Sequence, residues 1–191
     1  MSLVDEFLPG RTTTVLLVVL AVVVGYAAVT VTVGDESLDA EKVETLVVEE
    51  TNEVRDAHGV QSVETDSSLR EPARRHAEDM ARHGYVGHET PEGELPYQRY
   101  ADCVEEGYSG ENVANTWHNI NIMTDRGEVP TAHLSDEREV AEHLVESWMA
   151  SDGHRTTLLN DDWTRIGVGV AVTDENEVFA VQAFCSEPFV D

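Results

Sequence analysis

Eight histidines stand in this 191-residue chain, and two of them sit in Gly-His pairs within turn-like stretches. One is His88 in "YVGHETPEG". The other is His154 in "ESWMASDGHRTTLL". A glycine before the imidazole lets the backbone fold tightly and brings the ring to a cleft. Glu111, in "GENVA", also follows a glycine. Two imidazoles and a carboxylate suit a zinc-like divalent ion with open coordination positions. The three residues are far apart in sequence and carry no local ligand signature such as HExxH. Ser151 and His154 offer a different chemistry, because an i, i+3 pair can bring a hydroxyl to an imidazole base. The alternative for Ser151 is a local turn, since Ser-Asp-Gly after a helix commonly bonds its own backbone. No strand–GxSxG–helix context surrounds it.

The other six histidines have simpler readings. His58 and His83 adjoin Gly59 and Gly84 at helix ends, where a cationic side chain favours the helix dipole. His76 and His143 fall within helical patterns and are expected to be partly exposed. His118 and His133 belong to a stretch of weak periodicity at 116–135, read as an irregular insertion.

The elements that would position these residues follow from spacing. Val43, Leu46, Val47, Val54 and Ala57 recur at helical intervals up to Gly59. A second helix is expected from Ser68, where "SLRE" has the form of a capping box, with Pro72 near its first turn. Its apolar stripe is Leu69, Ala73, Ala77, Met80 and Ala81, and Gly84 ends it. Residues 97–108 predict a short helix ending at Gly107. Ser135 opens another, with Val140, Ala141, Leu144, Val145 and Trp148 facing inward. "IGVGVAV" (166–172) and "VFAVQAFC" (178–185), joined by "TDENE", predict an antiparallel hairpin. Gly167 and Gly169 leave one face of that hairpin bare, so another element packs closely there. Helices first and a terminal hairpin last indicate an α+β layered domain.

Composition bounds the setting. Asp and Glu number 38 against 12 Lys and Arg, for a formal charge of −26. Lys42 is the one lysine. Such a chain has no basic patch for nucleic acid, because repulsion from phosphates dominates. With 41% hydrophobic residues in periodic runs, it reads as a folded domain with a solvated acidic surface, suited to a salt-rich environment of halophilic type.

The N-terminus is organised differently. After a tail at 1–11, residues 12–34 carry no charge, and the run Val15–Val33 is about long enough to cross the hydrocarbon core. It is expected to be an uncleaved transmembrane anchor. The alternative is a signal sequence cleaved near Thr32–Gly34, which would leave the protein secreted. Arg11 before the span and the acidic linker at 35–39 after it favour the domain outside. Two cysteines, Cys103 and Cys185, either pair outside the cell or remain small buried residues.

Four segments in order resemble the CAP superfamily, or SCP domain, of cysteine-rich secretory proteins, antigen 5 and plant pathogenesis-related proteins. The likeness is to its prokaryotic branch. "TNEVRDAHGV" (51–60) is similar to the family's opening helix, with Asn52 and Arg55. "LREPARRHAEDMARHGYVGHETPEG" (69–93) is similar to its second helix and histidine loop. "PYQRYADCVEEGYSGENVA" (96–114) resembles the helix leading to the Gly-Glu-Asn motif. "WMASDGHRTTLLNDDWTRIGVGVAV" (148–172) resembles its Trp-Met segment and Gly-rich strand.

The resemblance covers about 40–186 and implies a three-layer α-β-α sandwich around a small antiparallel sheet. It implies a cleft of two histidines and two acidic residues. His88, Glu111 and His154 carry over. The fourth position is Ser151, where the eukaryotic pattern has an acidic residue. Glu146 is a poor substitute, since a helix turns it about 200° from Trp148. The expectation is a membrane-anchored, extracytoplasmic binding module at the cell envelope. A divalent metal such as zinc would be held by His88 and His154, with Glu111 as a ligand or behind one. Its partners would be the membrane and an envelope, lipid or protein ligand. The alternatives are a hydrolase using Glu111, Ser151 or His154 as its catalytic groups, and a structural cleft with no ligand.

Overall fold

Gly167 and Gly169 show how the layers meet. The computed structural model describes residues 38–118, 122–124, 127–129 and 134–186. Within it, β5 (Trp163–Val172) and β6 (Glu177–Ser186) form the expected antiparallel hairpin. α2 (Ser67–His83) crosses its bare face. A Cβ on Gly167 would run into the backbone at Leu69 and Arg70, and one on Gly169 into Ala73 and Arg74. The glycines are therefore the space that α2 occupies.

The sheet has four strands in the order β1-β5-β6-β2. β1 (Glu64–Thr65) runs parallel to β5, and β2 (Ser109–Trp117) runs antiparallel to β6. Side chains alternate across it. Leu69, Ala73, Ala77 and Met80 of α2 pack with Val113, Phe179, Val181 and Ala183 on one face. On the other, Ile166, Val168, Val170 and Phe184 pack against α1 (Ala40–Ala57) and α5 (Glu137–Ala150). The α5 stripe of Val140, Ala141, Leu144, Val145 and Trp148 is buried as its spacing predicts. The domain is thus an α+β three-layer arrangement around a small, mostly antiparallel sheet. The expected span at 12–34 and the linker's residues 35–37 lie outside the described residues. No helix among the described residues is long and apolar enough to cross a membrane.

Five local expectations are corrected. Asp66, not Ser68, caps α2, its carboxylate accepting from the Ser68 N–H and hydroxyl. Pro72 accordingly lies past the first turn. Asp136, not Ser135, caps α5, while Ser135 bonds Glu139. The stretch 97–108 is two short helices, α3 (Pro96–Arg99) and α4 (Ala101–Glu106), broken at Tyr100. The supposed irregular insertion begins inside β2 and includes a small hairpin of β3 (Ile122–Thr124) and β4 (Gly127–Val129).

α1 also carries charge into the core. Glu44, 3% exposed, accepts from Arg70 and Arg74 of α2 and from the Val170 N–H at the edge of β5. Arg55, fully buried, donates to the carbonyls of Gln61, Leu158, Asn160 and Trp163. It thereby ties α1 to the end of α6 (Asp152–Leu158) and the start of β5.

Gly169→Ala should cost about 3 kcal/mol or more, the upper end of overpacking penalties, because its methyl meets main chain and no rotamer can yield. Urea melts check this; a loss within about 0.5 kcal/mol of wild type would contradict the α2 contact.

Candidate functional site

His88 is held by its main chain before its ring does anything. α2 ends at Gly84, whose φ of 66° is the left-handed conformation glycine adopts freely. The loop then passes over His76, whose Nε2 lies 2.8 Å from the Gly87 carbonyl. A carbonyl only accepts, so His76 Nε2 carries the proton and donates. Arg99 Nη2 donates to the His88 carbonyl at 2.6 Å. The His88 side chain is 48% exposed.

Glu111 lies in β2, and its side chain is 2% exposed. Oε1 accepts from His88 Nδ1 at 2.9 Å. Oε2 accepts from the Tyr100 hydroxyl at 2.8 Å and from Arg99 Nε at 3.4 Å. Arg99 also pairs with Glu94 at 2.9 Å. Burial, reinforced by the adjacent carboxylate, pushes the Tyr100 phenol well above its ordinary pKa, so it stays a donor. An ion pair this buried depends on both partners: removing one leaves the other uncompensated, at a cost of roughly 3–5 kcal/mol.

His154 belongs to α6 on the opposite face of the sheet. Asn112, the neighbour of Glu111 on β2, donates to the His154 carbonyl at 3.2 Å and to Gln182 at 3.0 Å. Gln182 donates to Thr51 of α1 at 2.7 Å. Trp148 Nε1 donates to the Val113 carbonyl at 3.2 Å, fixing the end of α5 against β2. Arg155 turns back to Met149 and Asp152. Burial lowers the His154 pKa, and the nearby His88 ring lowers it further. The two imidazoles thus feel each other across the β2 edge.

The remaining candidates are placed as follows. Ser151 ends α5 and begins α6, without a side-chain cap bond and without a hydrogen bond to His154. Glu146 is on the exposed side of α5. His118 is buried, its Nδ1 3.3 Å from the Leu134 carbonyl; His133 lies outside the described residues. His76, expected to be partly exposed, is 2% exposed, because it follows Ala73 by three positions on the inner stripe of α2. Among the described residues its Nδ1 has no partner. Cys103 and Cys185 are joined in a disulfide that ties α4 to β6 across 82 residues. Closing a loop of that length stabilises the fold by about 4–5 kcal/mol on chain-entropy grounds.

The donor set narrows what a metal would find. Among the described residues no three His, Cys, Asp or Glu side chains gather as a metal shell. Both Glu111 oxygens are occupied by Arg99, Tyr100 and His88, so this carboxylate does not fit as a direct ligand. It fits behind a ligand, since its bond to Nδ1 leaves His88 Nε2 as the free donor atom.

With this geometry in place, the likeness to known proteins becomes specific. The chain belongs to the CAP, or cysteine-rich secretory protein, family, whose sequence profile matches residues 48–184. It is 33% identical over 129 residues to YlbC, an uncharacterized membrane protein of Bacillus subtilis (strain 168), covering 65% of this chain and 30% of that protein. An extracellular protein containing an SCP domain from Bacillus anthracis str. Ames is 27% identical, with a TM-score of 0.56, covering 78% of this chain and 41% of that one. An outer surface protein from Borrelia burgdorferi shares the fold at 20% identity, with a TM-score of 0.61, over 78% of this chain and 96% of that one. This chain therefore spans less than half the length of the two Bacillus proteins.

Burial, then the Arg99 charge, lowers the His76 pKa, as burial lowers that of His154. The folded chain thus binds fewer protons than the unfolded one below the ordinary histidine value of about 6.5. The stability these groups contribute is full above that value and is lost as pH falls through their folded pKa values. His76→Gln keeps an N–H for Gly87 and removes one titrating group. Thermal melts from about pH 8 to about pH 5 should show wild type losing more stability than H76Q over that range; parallel curves would contradict the assignment.

Proposed function

We propose that this chain is an extracytoplasmic CAP domain, anchored through residues 12–34, that binds a ligand at the cell envelope. Its cleft takes a divalent ion such as zinc through His88 Nε2 and His154, with Glu111 behind His88. The observation that carries this reading is the bond from His88 Nδ1 to a buried carboxylate. That arrangement orients an imidazole and leaves its other nitrogen outward. A bound ion would supply a Lewis-acidic point for an anionic or carbonyl group. Two imidazoles leave the rest of its shell to water or ligand.

The setting is supported by the relatives' descriptions as membrane, extracellular and outer-surface proteins. A disulfide suits an oxidising compartment. Binding is favoured over hydrolysis because both Glu111 oxygens already accept from protein donors. Ser151 likewise has no bond to the His154 ring that would activate it. The acidic surface, at −26 overall, argues against a nucleic-acid partner.

Zinc titration of the chelator-stripped protein tests the reading, with excess magnesium present to occupy surface carboxylates. Wild type should bind one zinc ion that the His88→Ala/His154→Ala double variant does not. Glu111→Gln should weaken it about 10- to 100-fold, the usual cost of losing a residue that orients a ligand. Equal zinc binding by wild type and the double variant would sink the metal reading.

A further inference from the structure

The two edges of the sheet are treated differently. In an antiparallel ladder, residues alternate between pairs bonded to each other and pairs whose N–H and C=O point away. On β5 the outward groups are met: the Ile166 carbonyl by the Asp66 N–H at 2.8 Å, and the Val170 N–H by Glu44 at 3.1 Å. Carrying that alternation through β6 to β2 makes Gly110, Asn112 and Ala114 the bonded residues, opposite Phe184, Gln182 and Ala180. Ser109, Glu111 and Val113 then face outward. The Tyr108 carbonyl, bonded to the Ser186 N–H, fits the same phase.

Of these outward residues, Val113 is closed by Trp148 Nε1 on its carbonyl. Ser109 and Glu111 have no main-chain partner on that side among the described residues. Glu111 is 9% exposed as a residue and 2% exposed as a side chain, so its remaining exposure is main chain. Its N–H and C=O open between the His88 loop on one face and α6 on the other. A bare strand edge is ordinarily covered, charged or shortened; here, among the described residues, nothing pairs with it at the residue whose side chain holds His88.

We propose that this short edge is a docking site for an extended, uncharged or cationic peptide segment, which pairs with Ser109 and Glu111 by strand addition. Ser109 and Glu111 present donor–acceptor pairs about 7 Å apart, two residues along a strand. Extended polypeptide offers the matching repeat. The opening ends at Trp148, so it admits a segment of about three residues and is too short for the strand of a second copy to continue the sheet. The net charge of −26 disfavours an acidic peptide. Docked there, the segment lies beside His88 and His154, so the proposal deepens the cleft reading by naming its ligand class.

The test uses acetyl-trialanine amide as probe, followed by amide NMR shifts of the full chain. Ser109→Pro removes an outward N–H that the β6 ladder does not use, a position a strand tolerates. Peptide binding should move the Ser109 and Glu111 amides. It should weaken about fivefold in S109P, the worth of one net hydrogen bond of about 1 kcal/mol. N-methylating the peptide's edge-facing amide should weaken it similarly, and this arm decides the matter if S109P does not fold. No shift at millimolar peptide, or binding unchanged by both S109P and N-methylation, overturns the proposal. Zinc bound without peptide removes the docking edge and leaves the metal reading. Peptide bound without zinc does the reverse.

Discussion

A single buried carboxylate organises this site. Glu111 is nearly sealed from solvent, yet it accepts from three donors on two segments: Arg99 and Tyr100 at the end of α3, and His88 in the loop after α2. Burying a charge is tolerated only when it is paired and its lone pairs are used. Each donor is thereby constrained. Arg99 reaches past the carboxylate to hold the His88 carbonyl and Glu94. The direction of the His88 ring is therefore a consequence of where β2 places Glu111.

β2 serves both halves of the cleft because its side chains alternate. Glu111 points toward α2 and the His88 loop, and Asn112 toward α6 and His154. The two histidines are set on opposite faces of one strand edge. The deeper supports are also polar. Thr51 and Gln182 hold Asn112, and Arg55 gathers three carbonyls at the end of α6 and the start of β5. Much of this domain's buried polarity thus lies between α1, β2 and α6, two of which carry Glu111 and His154.

The resemblance made much of this legible, and the spacing made some. The α5 stripe, the terminal hairpin and the glycines under α2 follow from periods of 3.6 and 2 and from missing side chains. The pairing of Arg99 with Tyr100 does not. In one continuous helix, consecutive side chains diverge by about 100°, and both reach Glu111 here only because the chain breaks at Tyr100. The role of Asn112 has no signal in its spacing: Gly-Glu-Asn lies in a strand, and alternation sends its two polar residues to different faces. His76 was legible in principle: 73, 76, 80 is an inner-stripe spacing, and only its polarity argued for the surface.

The central claim is that Glu111 fixes which His88 nitrogen is free. A carboxylate only accepts, so Nδ1 must carry the proton and Nε2 must be bare in the neutral ring. Long-range proton–nitrogen NMR of the imidazoles, recorded above the ordinary histidine pKa of about 6.5, reads this directly. The account predicts the Nδ1–H tautomer for His88 in wild type and a mixture richer in Nε2–H in Glu111→Ala. A His88 ring in the Nε2–H tautomer in wild type would contradict it.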